Sequence, residues 1–371
     1  MLKTIRFFLP TKIIFGEDTI HDFLPEISRY GKIPLIVTGR SSVRKSGLLD
    51  SITDILNRKH ITFHIYEGVS PEPSVDDCMK VAQFAIRCNA DVLVAVGGGS
   101  AMDVAKAAGV LVKNTGSLQG YFGEEKFKND PLPIVAIPTT CGTGSEVTRY
   151  SVIIDWQSGT KKTISSERII PKMAILDPVA IKTLPPGIIA GTGMDALCHA
   201  VEGFLSIKAN HLTKIFSREA ITLIFDNIEK AVQQRKIEYL SNLLLGSLYA
   251  GFVINHTGTI VVHGMAYGLT IRYQLHHGTA NAICLPYALE FLKNHGYEEE
   301  IHDLEKIFSI DSLFDINKKI GIPVHLSELG IQREDVDVLA EMAVIGNERA
   351  FRNMKISISK EEFVEIFSKM L

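Results

Sequence analysis

The sequence predicts an α/β N-terminal half built on a mainly parallel sheet, followed by an all-α C-terminal half. Three observations carry that expectation. Short apolar runs alternate with helical stretches through the first half, the pattern of strands covered on both faces by crossover helices. That alternation stops at Leu184-Pro185-Pro186-Gly187, beyond which the signals are helical. And 371 residues are too many for one ordinary core. The boundary falls near Pro185, giving domains of 1–185 and 186–371.

Five runs read as short buried strands: Lys12–Phe15, Pro34–Thr38, Thr62–Tyr66, Asp91–Val96 and Pro133–Pro138. Between the third and fourth, Ser74–Cys88 reads as a helix, opened by Ser74 and Asp77 at the spacing of a capping box. Beyond the boundary, Gly193–Lys208, Leu212–Gln234, Glu238–Ile254, Gly264–Gln274 and Lys360–Leu371 favour helix. A cleft between an α/β half and a helical half is the default place for a ligand.

Composition removes several function classes. Apolar residues make up 46% and charged residues 22%, with a formal net charge of −3 and no basic stripe, which argues against a nucleic-acid partner. Five scattered cysteines, never in a CxxC spacing, read as reduced thiols of a cytoplasmic protein. The apolar run at the N-terminus is broken by Pro10 and Lys12, and reads as a first strand, not a signal peptide. From Tyr239 to Ile271 there is no Asp, Glu, Lys or Arg, long enough to span a bilayer. Asn255-His256-Thr257-Gly258 interrupts it, so the expectation is a buried helix, a polar turn and a second helix, with no membrane partner.

Two loops suit phosphate. Asp91–Val96 leads into Gly97-Gly98-Gly99-Ser100 and then a helical run through Ala108: strand, glycine turn, helix. Glycines let a diphosphate approach the backbone, and a helix N-terminus offers unpaired N–H donors. Met102 occupies the place of the third glycine of GxGxxG, so a tight structural turn is the competing reading. Ile137–Thr148 packs four threonines, a serine and two glycines after another strand. That density of hydroxyls suits phosphate and ribose oxygens, or else a turn capping the next segment. The turn that should read the adenosine ribose is Gly39-Arg40-Ser41-Ser42, which holds no carboxylate. A small, hydroxylated, cationic turn accepts a 2′-phosphate, which favours NADP(H) over NAD(H), with Gly39, Ser41 and Ser42 in contact with it.

Asp195 and His199 lie four apart in a helical run and share one face. His263 and His277 fall in a Gly-rich, apolar region, where an imidazole must find a partner because an unsatisfied buried polar group costs roughly 1–3 kcal/mol. One carboxylate and three imidazoles make a site for Fe(II) or Zn(II) with a position open for substrate.

GGGSAMDVAK (97–106), PTTCGTGSEVT (138–148), GMDALCHAVEG (193–203), VHGMAYGL (262–269) and HHGTANAICLP (276–286) together resemble the iron-containing (group III) alcohol dehydrogenases. The resemblance covers nearly the whole chain. It implies an N-terminal Rossmann-like dinucleotide-binding domain, a C-terminal helical domain and a homodimer or larger assembly. It also implies metal ligands Asp195, His199, His263 and His277, and cofactor contacts at Gly97, Gly98, Gly99, Ser100, Thr139, Thr140, Thr143 and Lys162. Three positions depart from the family pattern. Tyr267 stands where many members carry a second histidine; its hydroxyl takes the place of an imidazole in a proton relay or else lines the pocket, and Tyr267 and His277 are the candidate catalytic residues. Pro71-Glu72-Pro73 replaces Pro-Asn-Pro, with Glu72 expected to face solvent, and His256 replaces Asn or Gln as an expected core histidine.

The reaction implied is hydride transfer between the nicotinamide and a small primary alcohol, diol or aldehyde, with proton exchange through Tyr267, His276 or the ribose hydroxyls. A glycerol-dehydrogenase-type polyol oxidoreductase shares the fold. So does a dehydroquinate-synthase-like lyase, but that chemistry needs several Lys and Arg around a phosphorylated acid, and Tyr239–Ile271 holds none.

Overall fold

The computed structural model describes residues 4–371. It divides into two compact units: Phe8–Thr140 with Gly144–Thr183, and Cys141–Thr143 with Leu184–Leu371 and the residues up to Phe7.

The first unit is α/β. Its strands are β1 (Lys12–Phe15), β2 (Pro34–Gly39), β3 (His64–Val69), β4 (Val92–Gly97), β5 (Gly123–Glu124), β6 (Ile134–Pro138), β7 (Tyr150–Asp155), β8 (Thr160–Ser165) and β9 (Met173–Leu176). Among the described residues the main sheet has six strands in the order β1-β9-β6-β4-β2-β3, every pair parallel. Both faces are apolar because both are covered. Leu35, Val37, Leu93, Ala95, Ile134 and Ala136 pack into one cluster with the helices Val75–Arg87 and Gly99–Lys113. Ile36, Val94, Val96, Val135, Ile137 and Ile175 pack into another with the helix Leu48–Arg58. Unbroken apolar runs, not alternation, are the signature of such strands.

Ser74 caps the helix Val75–Arg87 through the reciprocal box with Asp77, as its spacing indicates. The third strand lies at His64–Val69, later than the predicted Thr62–Tyr66, because its pairing with β2 begins at Leu35↔His64. The strands β5, β7, β8 and β9 are not among the predicted runs, although β9, Met-Ala-Ile-Leu and buried throughout, is an apolar run of the same kind as the others. β7 and β8 form an antiparallel hairpin, and β8 reads Thr-Lys-Lys-Thr-Ile-Ser, polar and half-buried along most of its length.

β3 and β4 flank β2 on opposite sides, so the chain reverses its direction across the sheet between β2 and β4. Ligands bind outside the carboxyl ends of the strands at such a reversal. Thr38 pairs with Val96, which sets the turn after Gly39 beside the turn after Gly97.

The second unit is helical. The helix Pro186–Leu205 is buried from Ile189 to Leu205 and packs on the helices His211–Gln234, Ile237–Thr257 and His277–Lys293. It starts seven residues before the predicted Gly193 because Pro186 sits in its first turn, where a missing N–H costs nothing. The charge-free stretch forms two helices, Ile237–Thr257 and Val261–Tyr273. The former is long and apolar enough to cross a membrane, yet 61% of its most apolar window is buried inside the protein. Its neighbours in the helical unit cover most of that window.

Candidate functional site

The helical unit gathers its acid and imidazoles from three helices. Asp195 and His199 stand one turn apart on Pro186–Leu205, His263 lies in the first turn of Val261–Tyr273, and His277 opens His277–Lys293. The close approach of the last helix depends on Gly278, where a Cβ would run into the carbonyl of Gly191. Asp195, His263 and His277 each present one ligand atom within 4.8 Å of the others. Oδ1 of Asp195 is 3.5 Å from Nε2 of His263 and 3.8 Å from Nε2 of His277. Nε2 of His199 is 4.0 Å from the same oxygen, and its ring stacks on His263 with centroids 4.6 Å apart. The carbonyl of Gly142 lies 3.2 Å from Nδ1 of His199.

The electrostatics fit a cation. Burial alone would push the Asp195 carboxyl up, but the imidazoles of His199, His277 and His263 hold it far below the usual carboxylate range. Burial works against a charge on His263, yet Glu202 and Asp195 on either side favour a positive charge there, which a divalent ion on Nε2 would supply in place of a second proton. His199 is pulled down by burial, against the pull of Asp195. Nε2 of His263 is buried and has no hydrogen-bond partner. A buried polar atom without a partner is costly, and a divalent ion among these groups would remove the cost.

Two further residues belong to this cluster and were not singled out from sequence. Glu202 is completely buried; its Oε1 accepts the backbone N–H groups of Ile260 and Val262 at 3.1 and 2.7 Å, and its Oε2 accepts from Nδ1 of His263. Asn281, also buried, donates from Nδ2 to Asp195 Oδ1 at 2.7 Å. Spacing held a signal for both: 195, 199 and 202 share a helical face, and Asn281 is one turn beyond His277. Tyr267 is half-buried one turn beyond His263. His256 stacks on Phe7 at 4.2 Å, and its Nδ1 lies 2.7 Å from the carbonyl of Phe252.

In the α/β unit, Gly97 ends β4 at φ +157, and a Cβ there would press on Ala101. Gly99 and Ser100 begin the helix Gly99–Lys113, and the Ser100 hydroxyl donates to the carbonyl of Pro71 at 2.5 Å. Thr139 N–H bonds the carbonyl of Gly97 at 2.9 Å, and Thr140 packs beside Gly98. These residues, with Gly39, Ser41 and Ser42, gather at the carboxyl edge of β2, β4 and β6. Lys162 lies on β8, in the second sheet, and Thr143 falls with the helical unit. Glu72 is half-exposed and pairs with Lys161 at 2.8 Å. Glu67, on the strand beside β2, is held by the Arg44 guanidinium through bonds of 2.8 and 2.5 Å.

Comparison with known proteins gives the family and the fold. Residues 10–178 match the model of the iron-containing alcohol dehydrogenases, and residues 189–371 match that of the family's C-terminal part. The 1,3-propanediol dehydrogenase of Klebsiella pneumoniae is 35% identical over 353 residues, 91% of each chain. An alcohol dehydrogenase from Oenococcus oeni superposes with a TM-score of 0.93 at 30% identity, covering 99% of this chain and all of that one. A sulfoacetaldehyde reductase from Bifidobacterium kashiwanohense, solved with NAD+, has a TM-score of 0.90 at 27% identity and 99% coverage of both chains. Membership implies an oxidoreductase acting on alcohols with a divalent metal and a nicotinamide dinucleotide. The chain belongs to the iron-containing alcohol dehydrogenase family.

Proposed function

We propose that the protein is a cytoplasmic alcohol dehydrogenase/aldehyde reductase that moves a hydride between NADP(H) and a small primary alcohol, diol or aldehyde. The observation that carries this is the convergence of His263 and His277 Nε2 on the buried carboxylate of Asp195, with His199 Nε2 beside them. Asp195, His199, His263 and His277 would hold Fe2+, with Zn2+ as the other candidate. When bound, the ion supplies Lewis-acid polarisation of the substrate oxygen.

The protein's own part is to bind and to orient. The domain 1–185 holds the dinucleotide, its diphosphate on the backbone of Gly97–Ser100 and the threonines 139, 140 and 143, with Lys162 as a further contact. The domain 186–371 holds metal and substrate, and the charge-free stretch from Tyr239 to Ile271 favours an uncharged substrate over a phosphorylated one. Tyr267 and the exposed His276 are the side chains proposed to exchange protons with solvent, and Tyr267 and His277 the proposed catalytic residues. NADP(H) is favoured because Gly39-Arg40-Ser41-Ser42 carries no acid, and because Arg44 engages the Glu67 carboxylate on the neighbouring strand. The assembly proposed is a homodimer or larger homo-oligomer.

Metal analysis of anaerobically purified protein, with parallel NADH and NADPH assays on short aldehydes, tests the reading. Expected are about one ion per chain and net NADPH oxidation. A protein that turns over an aldehyde with no metal bound overturns the metal assignment, and one that returns its hydride within each cycle overturns the reductase.

A further inference from the structure

Glu202 lies on the helix face that carries Asp195 and His199, with none of its surface exposed. A buried carboxylate costs several kcal/mol unless its oxygens find donors. Among the described residues its donors come from one turn of chain: the backbone N–H groups of Ile260 and Val262, and Nδ1 of His263. The two amides stand at the start of the helix Val261–Tyr273, where N–H groups lack intrahelical partners, so an oxygen must face them. Nδ1 of His263 faces an acceptor and must carry a proton. That leaves Nε2, which lies 3.5 Å from Asp195 Oδ1 with no hydrogen-bond partner, as the nitrogen able to ligate.

We propose that Glu202 is the positioning residue of the metal centre: by accepting from Nδ1 it fixes the rotation and tautomer of His263 and so raises the protein's affinity for a divalent ion. The proposal rests on the metal reading above. It makes a sharp distinction between two small substitutions. Glu202→Gln keeps the size of the side chain but exchanges one oxygen for a donor. The amides of Ile260 and Val262 hold the remaining oxygen, so the NH2 group turns to Nδ1 of His263. The ring then accepts at Nδ1 and carries its proton on Nε2, which cannot ligate. Glu202→Asp is one methylene short but keeps an acceptor on both sides.

The test is zinc affinity of the metal-free protein, read by competition with a chelator. Expected is a loss of about 10–100-fold in E202Q and a smaller loss in E202D. If Glu202 served only to fill space the order would reverse, because E202Q preserves the shape. Unchanged affinity in E202Q, or E202D weaker than E202Q, overturns the proposal. Nitrogen-resolved NMR of the zinc-loaded wild-type protein gives an answer that needs no variant. Ligation through Nε2 with a protected Nδ1–H on His263 supports it, and ligation through Nδ1 overturns it even should E202Q not fold. A wild-type protein that takes up no zinc instead refutes the metal site itself, and this inference with it.

Discussion

Asn281 donates from Nδ2 to Oδ1 of Asp195 at 2.7 Å, and the same nitrogen lies 3.3 Å from Nε2 of His277. One buried amide thus spans two of the proposed ligands, which come from different helices. Asn281→Ala leaves a buried carboxylate oxygen short of a donor and lets both side chains wander. The expected result is about a tenfold loss of metal affinity, the range seen when groups behind a ligand are removed. Metal content after dialysis against a weak chelator reads it, with nucleotide binding unchanged as the control.

His263→Ala removes the imidazole that Glu202 and Asp195 hold between them. Metal retention and turnover should both be lost, while NADPH binding, proposed for the other domain, stays within about twofold of wild type. Elemental analysis and a fluorescence titration of NADPH separate the two. Full turnover in this variant removes His263 from the ligand set.

The contrast between these residues shows what the sequence could disclose. Asp195 and His199 were legible because a helix converts a spacing of four into a shared face, and the histidines 263 and 277 because an imidazole in a charge-free run demands a partner. Glu202 and Asn281 carried the same helical spacing, but their partners were hidden. Two of the three partners of Glu202 are backbone amides 58 and 60 residues away, and no side-chain pattern marks an amide. Apolar runs marked five of the six strands of the main sheet; the sixth, β9, carries the same kind of run at Met173–Leu176 and was passed over. The β7–β8 hairpin was not legible, since Thr160–Ser165 is polar and half-buried, and its pairing with Tyr150–Asp155 is what makes it a strand.

Gly39→Asp tests the cofactor preference. A Cβ at Gly39 would meet the Val69 carbonyl at 3.8 Å and the Ser42 hydroxyl at 3.9 Å, ordinary contacts, so a side chain fits there without backbone strain. A carboxylate at the end of β2 bonds a ribose 2′-hydroxyl and repels a 2′-phosphate. The kcat/KM ratio of NADPH to NADH should fall by about tenfold or more, roughly 1.4 kcal/mol of discrimination. A ratio that does not move places the ribose elsewhere.

Stability should change with pH through the charges packed beneath the first glycine loop. Lys106 is completely buried, and its ammonium donates to Ser145 Oγ at 2.8 Å and to the carbonyls of Thr148 and Tyr150 at 2.9 and 2.8 Å. Asp103 accepts from Ser145, and Glu146 is buried beside it in sequence. Burial brings Lys106 down to about 8, against the pull of Asp103 and Glu146, and pushes Glu146 up to about 7, against the pull of Lys106. From an ordinary value of 4.5 up to 7 the folded protein keeps a proton on Glu146 that the unfolded chain has released, so stability falls as pH rises through that window. Between 8 and the ordinary lysine value of 10.5 the unfolded chain holds the extra proton, so stability rises with pH there. The Glu146 contribution amounts to about 3 kcal/mol. Glu146→Gln keeps the shape and removes the titration, so urea midpoints measured from pH 4.5 to 7 should fall less steeply than in wild type. Parallel profiles in the two proteins would mean that Glu146 is charged in the folded state and that Lys106 is neutralised by it.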